Sequence, residues 1–523
     1  MRVAVVGSGV AAIACAQALI ERGVQPVILD AGEELDRDRQ ARINRLAGQD
    51  RSDWSGIDVD ALKPRRGSGI GAIPRKLAFG SDYVYGHERA HSPLDCADGV
   101  IPPTYARGGY STVWGAAVLP AHDSDLAGWP VRRADLAPHY RAVLRGRPLS
   151  GAADVLSDEF PLYSDSVSAV APSPQGRALL GKLQAGAEAL RADQIWAGRS
   201  RLLVAAEGAQ RCIECGLCLT GCPRSAIHCS DGDLRRWLAA GAVEYRPQTV
   251  VRSVAEDADG VRVFLDRGGE ERFDRVFLGA GALNTTRIVL RARALYDRPV
   301  HLCDSQKFLV PFVLRRRVPG ALTHPGNVLA NAFIEIRDTV DGHWVHIQMS
   351  PHNELVEQSL RLRRGPLAAV ARRALAPVFE RVMYAWGSLH SDSSGALQAA
   401  LRPRRDGEPL LEIRSVPNAN SRVAAARAIG KLARHARELG GAPFVPLLRM
   451  SKVGGSAHYG GSLPMVAGTP AELQSDLLGR PWGFARVHCI DAAVLPSIPG
   501  TTVALTVMAN AHRIASVAMS AAA

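Results

Sequence analysis

Apolar residues first gather at Val3-Ala4-Val5-Val6, a continuous, largely β-branched run of the kind a strand buried on both faces requires. A small-residue turn, Gly7-Ser8-Gly9-Val10-Ala11-Ala12, leads into an alanine-rich helical stretch from Ala11 to about Arg22. Gly23 stops it, and Val24 to Leu29 reads as a second strand before Asp30. Charged residues dominate Glu33 to Asp60, which reads as exposed helix, and Gly67-Ser68-Gly69-Ile70-Gly71 reads as a loop because no buried strand precedes it. Gly176 to Ala192 has a helical pattern. Val243-Glu244-Tyr245, Thr249 to Val254 and Val261 to Leu265 read as short strands. Arg275 to Leu278 is another buried strand, running through Gly279-Ala280-Gly281-Ala282 into a helix over Asn284 to Arg293, so the opening geometry recurs.

From about residue 301 to 415 the period shortens to two. Phe308 to Leu314, Ala332 to Arg337, Trp344 to Met349, Met383 to Leu389 and Leu410 to Arg414 fit half-buried strands of an antiparallel sheet. Leu360 to Arg381 is basic, with Leu367, Val370, Ala374 and Val378 at helical spacing; a surface or lid helix is favoured over membrane contact. Asn420 to Leu439 reads as a helix ended by Gly440-Gly441, Val487 to Leu495 as a strand containing Asp491, Pro496 to Thr502 as a turn, and Val503 to Met519 as a helix of small residues. The fold class predicted is α/β: a Rossmann-like domain with a parallel sheet, over 1–120, 205–300 and 451–523, and a second domain with an antiparallel sheet flanked by helices, over 121–204 and 301–450.

Composition adds limits. A chain of 523 residues is long for one core, and 47% hydrophobic with 22% charged residues is the balance of a globular protein. No apolar run is long enough to span a membrane, and the chain starts on a core strand with no charged segment ahead of it, so a cytoplasmic protein is expected. The net charge of +12 comes largely from scattered arginine, with no nucleic-acid-binding motif beside it.

Strand, glycine turn, helix, strand and acid together form a dinucleotide-binding unit. Gly7 permits the tight turn, Gly9 lets backbone approach a pyrophosphate, Ala12 replaces the third glycine, and Asp30 lies about twenty residues on, where a carboxylate meets a ribose hydroxyl. In Tyr105 to Leu119 the glycines allow close approach, Ser111 offers a donor and Trp114 a flat face. Ser456 to Met465 combines His458 with a glycine turn. Of nine cysteines, Cys212, Cys215, Cys218, Cys222 and Cys229 fall in one stretch; the first four, followed by Pro223, have ferredoxin-like ligand spacing.

Three separated pieces resemble the glucose–methanol–choline flavoprotein oxidoreductases. These are the opening Val-Ala-Val-Val-Gly-Ser-Gly-Val-Ala-Ala, the loop Gly108-Gly109-Tyr110-Ser111-Thr112-Val113-Trp114-Gly115, and a closing signature of His458 to Met465 with Val487 to Ala509. The resemblance implies FAD as the dinucleotide, held by Gly7, Gly9, Ala12, Asp30, Gly109, Ser111, Trp114, Gly115, Val251, Ala280, Asp491, Ala492 and Thr502. It implies hydride transfer from a small-molecule alcohol, sugar, sterol or other metabolite to flavin N5, with His458 as base. The family's second histidine or asparagine is here Thr502, whose hydroxyl donates but is no base. His488, Tyr459 and His346, which shares a strand face with Trp344 and Gln348, are candidates to compensate. The cysteines Cys212, Cys215, Cys218 and Cys222 suit one [3Fe–4S] cluster or, with Cys222 or Cys229 as fourth ligand, one [4Fe–4S] cluster; zinc is a lesser option. Electrons would then pass to a protein or quinone acceptor. The rival classes are an electron-transfer or binding subunit with degenerate alcohol chemistry, and a redox-neutral or reductive flavoenzyme.

Overall fold

The opening run is the centre of a parallel sheet. Val3–Val6 pairs with Arg275–Leu278 on one side and Val27–Leu29 on the other, and Val487–Cys489 and Glu244–Arg246 complete five parallel strands. Helices cover both faces of such a sheet, which is why Val3, Ala4 and Val5 are fully buried. A computed structural model describes residues 1–64, 75–86, 91–323, 326–353, 366–405 and 407–520.

The helix Val10–Ile20 packs along the last helix, Val503–Ser520. Alanines on both let the two backbones approach closely. Beside the parallel sheet, Val251–Asp257, Gly260–Leu265 and Glu270–Phe273 form a small antiparallel sheet. The strand expected over Val487–Leu495 stops at Cys489. Asp491 ends it by capping a short helical turn, Ala492–Val494: its carboxylate accepts from Ala493 N at 2.9 Å and from the Thr285 hydroxyl.

The second half is built on an antiparallel sheet. Its strands run in the spatial order Gly441–Pro443, Lys307–Leu314, Val382–Ser388, Trp344–Pro351, Ala332–Arg337 and Ile195–Arg199, with Arg449–Met450 pairing beside Lys307–Leu314. Alternation sorts the side chains. Phe308, Val310, Ile334 and Ile347 form one core with Leu179 and Leu183 of the helix Pro174–Ala185 and with Ala428 and Leu432 of the helix Asn420–Arg434. The opposite face carries Trp344, Phe333 and Trp196, which join the core of the parallel-sheet half.

A fourth sheet, of Tyr459–Gly460, Val300–Asp304, Ala396–Arg402, Leu410–Val416 and Leu94–Cys96, has no counterpart in the sequence reading except Leu410–Arg414. Gly67–Gly71 and residues 360–365 lie outside the described residues; the described helix there is Pro366–Phe379, with Val370 and Val378 exposed. Among the described residues no helix is long and apolar enough to cross a membrane.

Candidate functional site

The glycine turn is shaped by contacts that exclude any side chain. Gly7 has φ +96°, and a Cβ there would stand 2.7 Å from the Gly279 carbonyl oxygen. Gly109, at φ +59°, faces Gly9 across 3.0 Å from its own hypothetical Cβ to the Gly9 Cα. The two glycine loops therefore meet backbone to backbone. Ala12 fills the place of a third glycine because Gly279 lies opposite it, where a Cβ would stand 3.3 Å from Ala12 Cα. Helix Val10–Ile20 starts with no side-chain cap, so its first N–H groups remain available to an anion.

A cavity of about 60 Å³ opens beside this turn and is lined by Gly7, Asp30, Val251 and Ala280 together with Tyr105, Arg252 and Arg287. Asp30 is buried, its carboxylate accepting from Ser8 Oγ at 2.5 Å and Tyr245 OH at 3.1 Å. Burial pushes its pKa up to about 6, and those two hydrogen bonds limit the rise. Ser8 also accepts from Gly108 N at 2.9 Å, so one hydroxyl joins the two loops to the acid. Ser8, Tyr245, Arg252 and Arg287 were not singled out by sequence; Ser8 lies inside the glycine turn and Arg252 beside Val251, whereas Tyr245 and Arg287 left no local signal.

The other loop residues are engaged within the protein. Ser111 Oγ donates to Gly108 O at 2.5 Å and accepts from Ser230 N at 3.0 Å. Trp114 Nε1 donates to His228 O at 2.7 Å, and nothing crowds Gly115. Asp491 is spent on Ala493 and Thr285, and burial raises it to about 6. Ala492 turns its carbonyl to Gly461 N at 2.9 Å.

That last bond belongs to a seam. Gly461, Leu463 and Met465 donate in turn to the carbonyls of Ala492, Ala493 and Val494. The seam fixes the loop carrying His458 beside the strand Val487–Cys489. His458 is half-buried, its backbone N–H donating to Ser456 Oγ at 2.8 Å and its carbonyl accepting from Ser305 N at 3.0 Å. Its imidazole forms no hydrogen bond among the described residues, and Nδ1 is enclosed and unpartnered. Burial, then the charges of Lys307 and His346, hold its pKa well below 6.5, so the ring is neutral. Thr502 Oγ1 accepts from Leu119 N at 2.6 Å, which leaves its proton free to donate. The neighbouring Thr501 hydroxyl is buried without a partner among the described residues. Of the three residues weighed as partners for His458, His488 is committed elsewhere, bonded to Leu478 O and stacked on Phe277. Tyr459 donates its hydroxyl to Ile101 O at 2.9 Å. His346 keeps a ring nitrogen, Nε2, that has no partner among the described residues.

The cysteines Cys212, Cys215, Cys218 and Cys222 line one small, mostly apolar cavity with Asn327 and Leu329. Burial pushes the Cys215 thiol up to about 11 and raises Cys212 and Cys218 as well. Among the described residues no three cysteine sulfurs lie within 4.8 Å of one another, a spread too wide for a single ion such as zinc as the thiols stand. Cys229 is apart from this cavity, its sulfur 3.4 Å from Ser111 Oγ. One other trio, Asp125, His343 and His390, lies within that distance. Its two rings stack 3.7 Å apart at 7°, so their lone pairs run parallel instead of converging on an ion.

No protein-family model matches the sequence, and no curated protein aligns with it. The solved structure of pyridoxine 4-oxidase from Mesorbium loti is similar over 98% of this chain and 98% of its own, with a TM-score of 0.58 and 15% identity. The two share a fold. The α/β class with its parallel and antiparallel sheets thus stands as predicted, and the likeness extends from end to end.

Proposed function

We propose that the chain is an FAD-dependent oxidoreductase acting on the CH–OH group of an alcohol, with His458 as the base for the hydroxyl proton. The observation that carries this is the seam from Gly461 to Met465 along Ala492 to Val494, which ties an unpartnered, neutral imidazole to the sheet bearing the dinucleotide cradle. The end-to-end likeness to an oxidase fold supports it.

The residues present suit FAD. The uncapped helix start and the bare Gly9–Gly109 approach fit a pyrophosphate, and Asp30 with Val251 and Arg252 fits an adenosine. Bound FAD would supply the hydride acceptor. The protein's own work is to orient the alcohol, exclude water and take its proton at His458, with the Thr502 hydroxyl donating to the oxygen. The two proposed domains, divided as the sequence pattern divides them, would enclose that site.

The four-cysteine cavity fits an iron–sulfur cluster better than a single ion, since a cluster holds its thiolates further apart and prefers an apolar, enclosed wall. Such a cluster would carry electrons from flavin to a protein or quinone acceptor. Absorption spectra and iron and sulfide analysis of anaerobically purified protein test both cofactors. His458→Ala should then keep FAD and lose turnover with an artificial acceptor; turnover at the parent rate would refute His458 as the base.

A further inference from the structure

Strand register gathers chemistry that the chain scatters. Lys307 pairs with Ser388, Ser388 with His346, His346 with Glu335, and Glu335 with Trp196. Directly paired residues of antiparallel strands share a face, so these five form one row across the sheet, opposite the Phe308–Ile347 core. The adjacent row holds Leu309, Trp386, Gln348 and Phe333, of which Trp386 and Gln348 are half-buried.

Glu335 and His346 are 0% and 1% exposed, and they satisfy each other on one side only. His346 Nδ1 lies 2.6 Å from Glu335 Oε1, while His346 Nε2 and Glu335 Oε2 are buried with no partner among the described residues. A purely structural pair would not leave two such atoms unsatisfied, at a cost of about 1–3 kcal/mol each. Glu335 engages Nδ1 and leaves Nε2 as the nitrogen that bonds a further group, donating to an oxygen when the ring carries a proton on both nitrogens.

The row also meets the candidate site at two points. Ser305, whose N–H binds the His458 carbonyl, is two residues before Lys307. Near the middle of the row Gly500 seats on the Trp344 carbonyl, two residues before His346 and two before Thr502 along their respective segments. Lys307 and His346 are two strands apart, about 10 Å, with only the small Ser388 between them.

We propose that His346, oriented by Glu335, makes the second contact to the reacting hydroxyl by donating Nε2–H to the oxygen whose proton His458 takes, and that Lys307, Gln348 and Trp386 read the rest of a polyhydroxylated alcohol. This rests on the alcohol-oxidoreductase reading above. An aromatic face flanked by donors suits a ring with an apolar face and a rim of hydroxyls, whereas a sterol or alkyl chain would bury these polar atoms unpaired.

The test is anaerobic flavin bleaching and acceptor-linked turnover of the FAD-loaded enzyme with glucose, gluconate, cholesterol and hexanol, and calorimetric titration with the same compounds. Bleaching and binding by glucose or gluconate alone support the proposal, and the two arms separate a neutral from an acidic polyol. Bleaching by cholesterol or hexanol but neither sugar overturns it and leaves the alcohol oxidoreductase standing. Bleaching by none of the four, with no heat of binding, overturns this substrate class. Reduction of the flavin only by a redox protein would instead remove the reading beneath it. His346→Gln should lower kcat/KM for the sugar roughly 10²-fold with FAD content unchanged. Glu335→Gln, acting through His346, should lower kcat more than it raises KM, and Lys307→Met should raise KM. Parent kinetics in His346→Gln with full FAD content would refute the role.

Discussion

Gly500→Ala probes how the turn entering the last helix is seated on the substrate sheet. A Cβ at Gly500 would lie 2.2 Å from the Trp344 carbonyl oxygen and 3.1 Å from His390 N, both backbone atoms. Carbon and carbonyl oxygen are comfortable at about 3.3 Å, so the two segments must part by about 1 Å, and no rotamer change relieves the contact. The same turn is bonded to the segment it would retreat from: Ser391 N donates to Ile498 O at 2.9 Å, and Ile498 N to Ser391 Oγ at 3.0 Å. Overpacking of this kind costs about 1–3 kcal/mol, and two strained hydrogen bonds argue for the upper end. A shift of that size in Thr501 and Thr502 should also cost roughly 10²-fold in turnover. Gly181→Ala is the control. It lies in the helix Pro174–Ala185 with no atom within 4 Å of its Cβ position, and should stabilise by about 0.5–1 kcal/mol. Urea unfolding and acceptor-linked turnover of both variants read the result. A Gly500→Ala protein as stable and active as the parent would refute the seating.

His458→Gln should retain FAD and lose turnover by roughly 10²-fold or more. Because the His458 pKa lies well below 6.5, the parent's kcat/KM should stay flat through neutrality and fall only at pH below 6.5; an acid limb centred above pH 7 would assign the base elsewhere. Asp233 pairs with Arg147 at 2.7 Å, each side chain 2% exposed, so Asp233→Ala should cost about 3–5 kcal/mol in urea unfolding by leaving a buried cation unpaired. Burial raises the Asp233 carboxyl, but the His228 hydrogen bond and the Arg147 charge outweigh it and hold the group well below the usual carboxylate range. Its contribution is therefore full above the unfolded value of about 3.9 and lost as pH falls through the folded one; unfolding free energy unchanged by the mutation at pH 7 would refute it. Cys215→Ser should remove most of the iron from anaerobically prepared protein and spare FAD, and parent iron content would exclude Cys215 as a ligand.

Where a segment's own period decides its environment, the sequence was sufficient. Val3–Val6 could be read directly because a run buried on both faces leaves no polar residue to confuse the period, and after Arg275 the strand Arg275–Leu278 is apolar in the same way. Ala396–Arg402 escaped because Ala-Leu-Gln-Ala-Ala-Leu-Arg favours helix locally and becomes a strand only by pairing with Leu410–Val416. Asp491 looked like a strand residue until its cap to Ala493 was visible.

The site divides in the same way. Motif glycines are legible because backbone geometry forces them, as at Gly7 and Gly109. The polar row is not, since Lys307, Glu335, His346 and Ser388 stand on four strands and only the register aligns them. Glu335 and His346 did leave a local trace: a buried titratable residue in a largely apolar strand, as in Ala-Phe-Ile-Glu-Ile-Arg and Trp-Val-His-Ile-Gln-Met. Burying such a group costs several kcal/mol unless a partner offsets it. A sequence that keeps two of them, on neighbouring strands and in register, is specifying that pair. The buried nitrogen that the pair leaves over, His346 Nε2, is the atom on which the substrate reading turns.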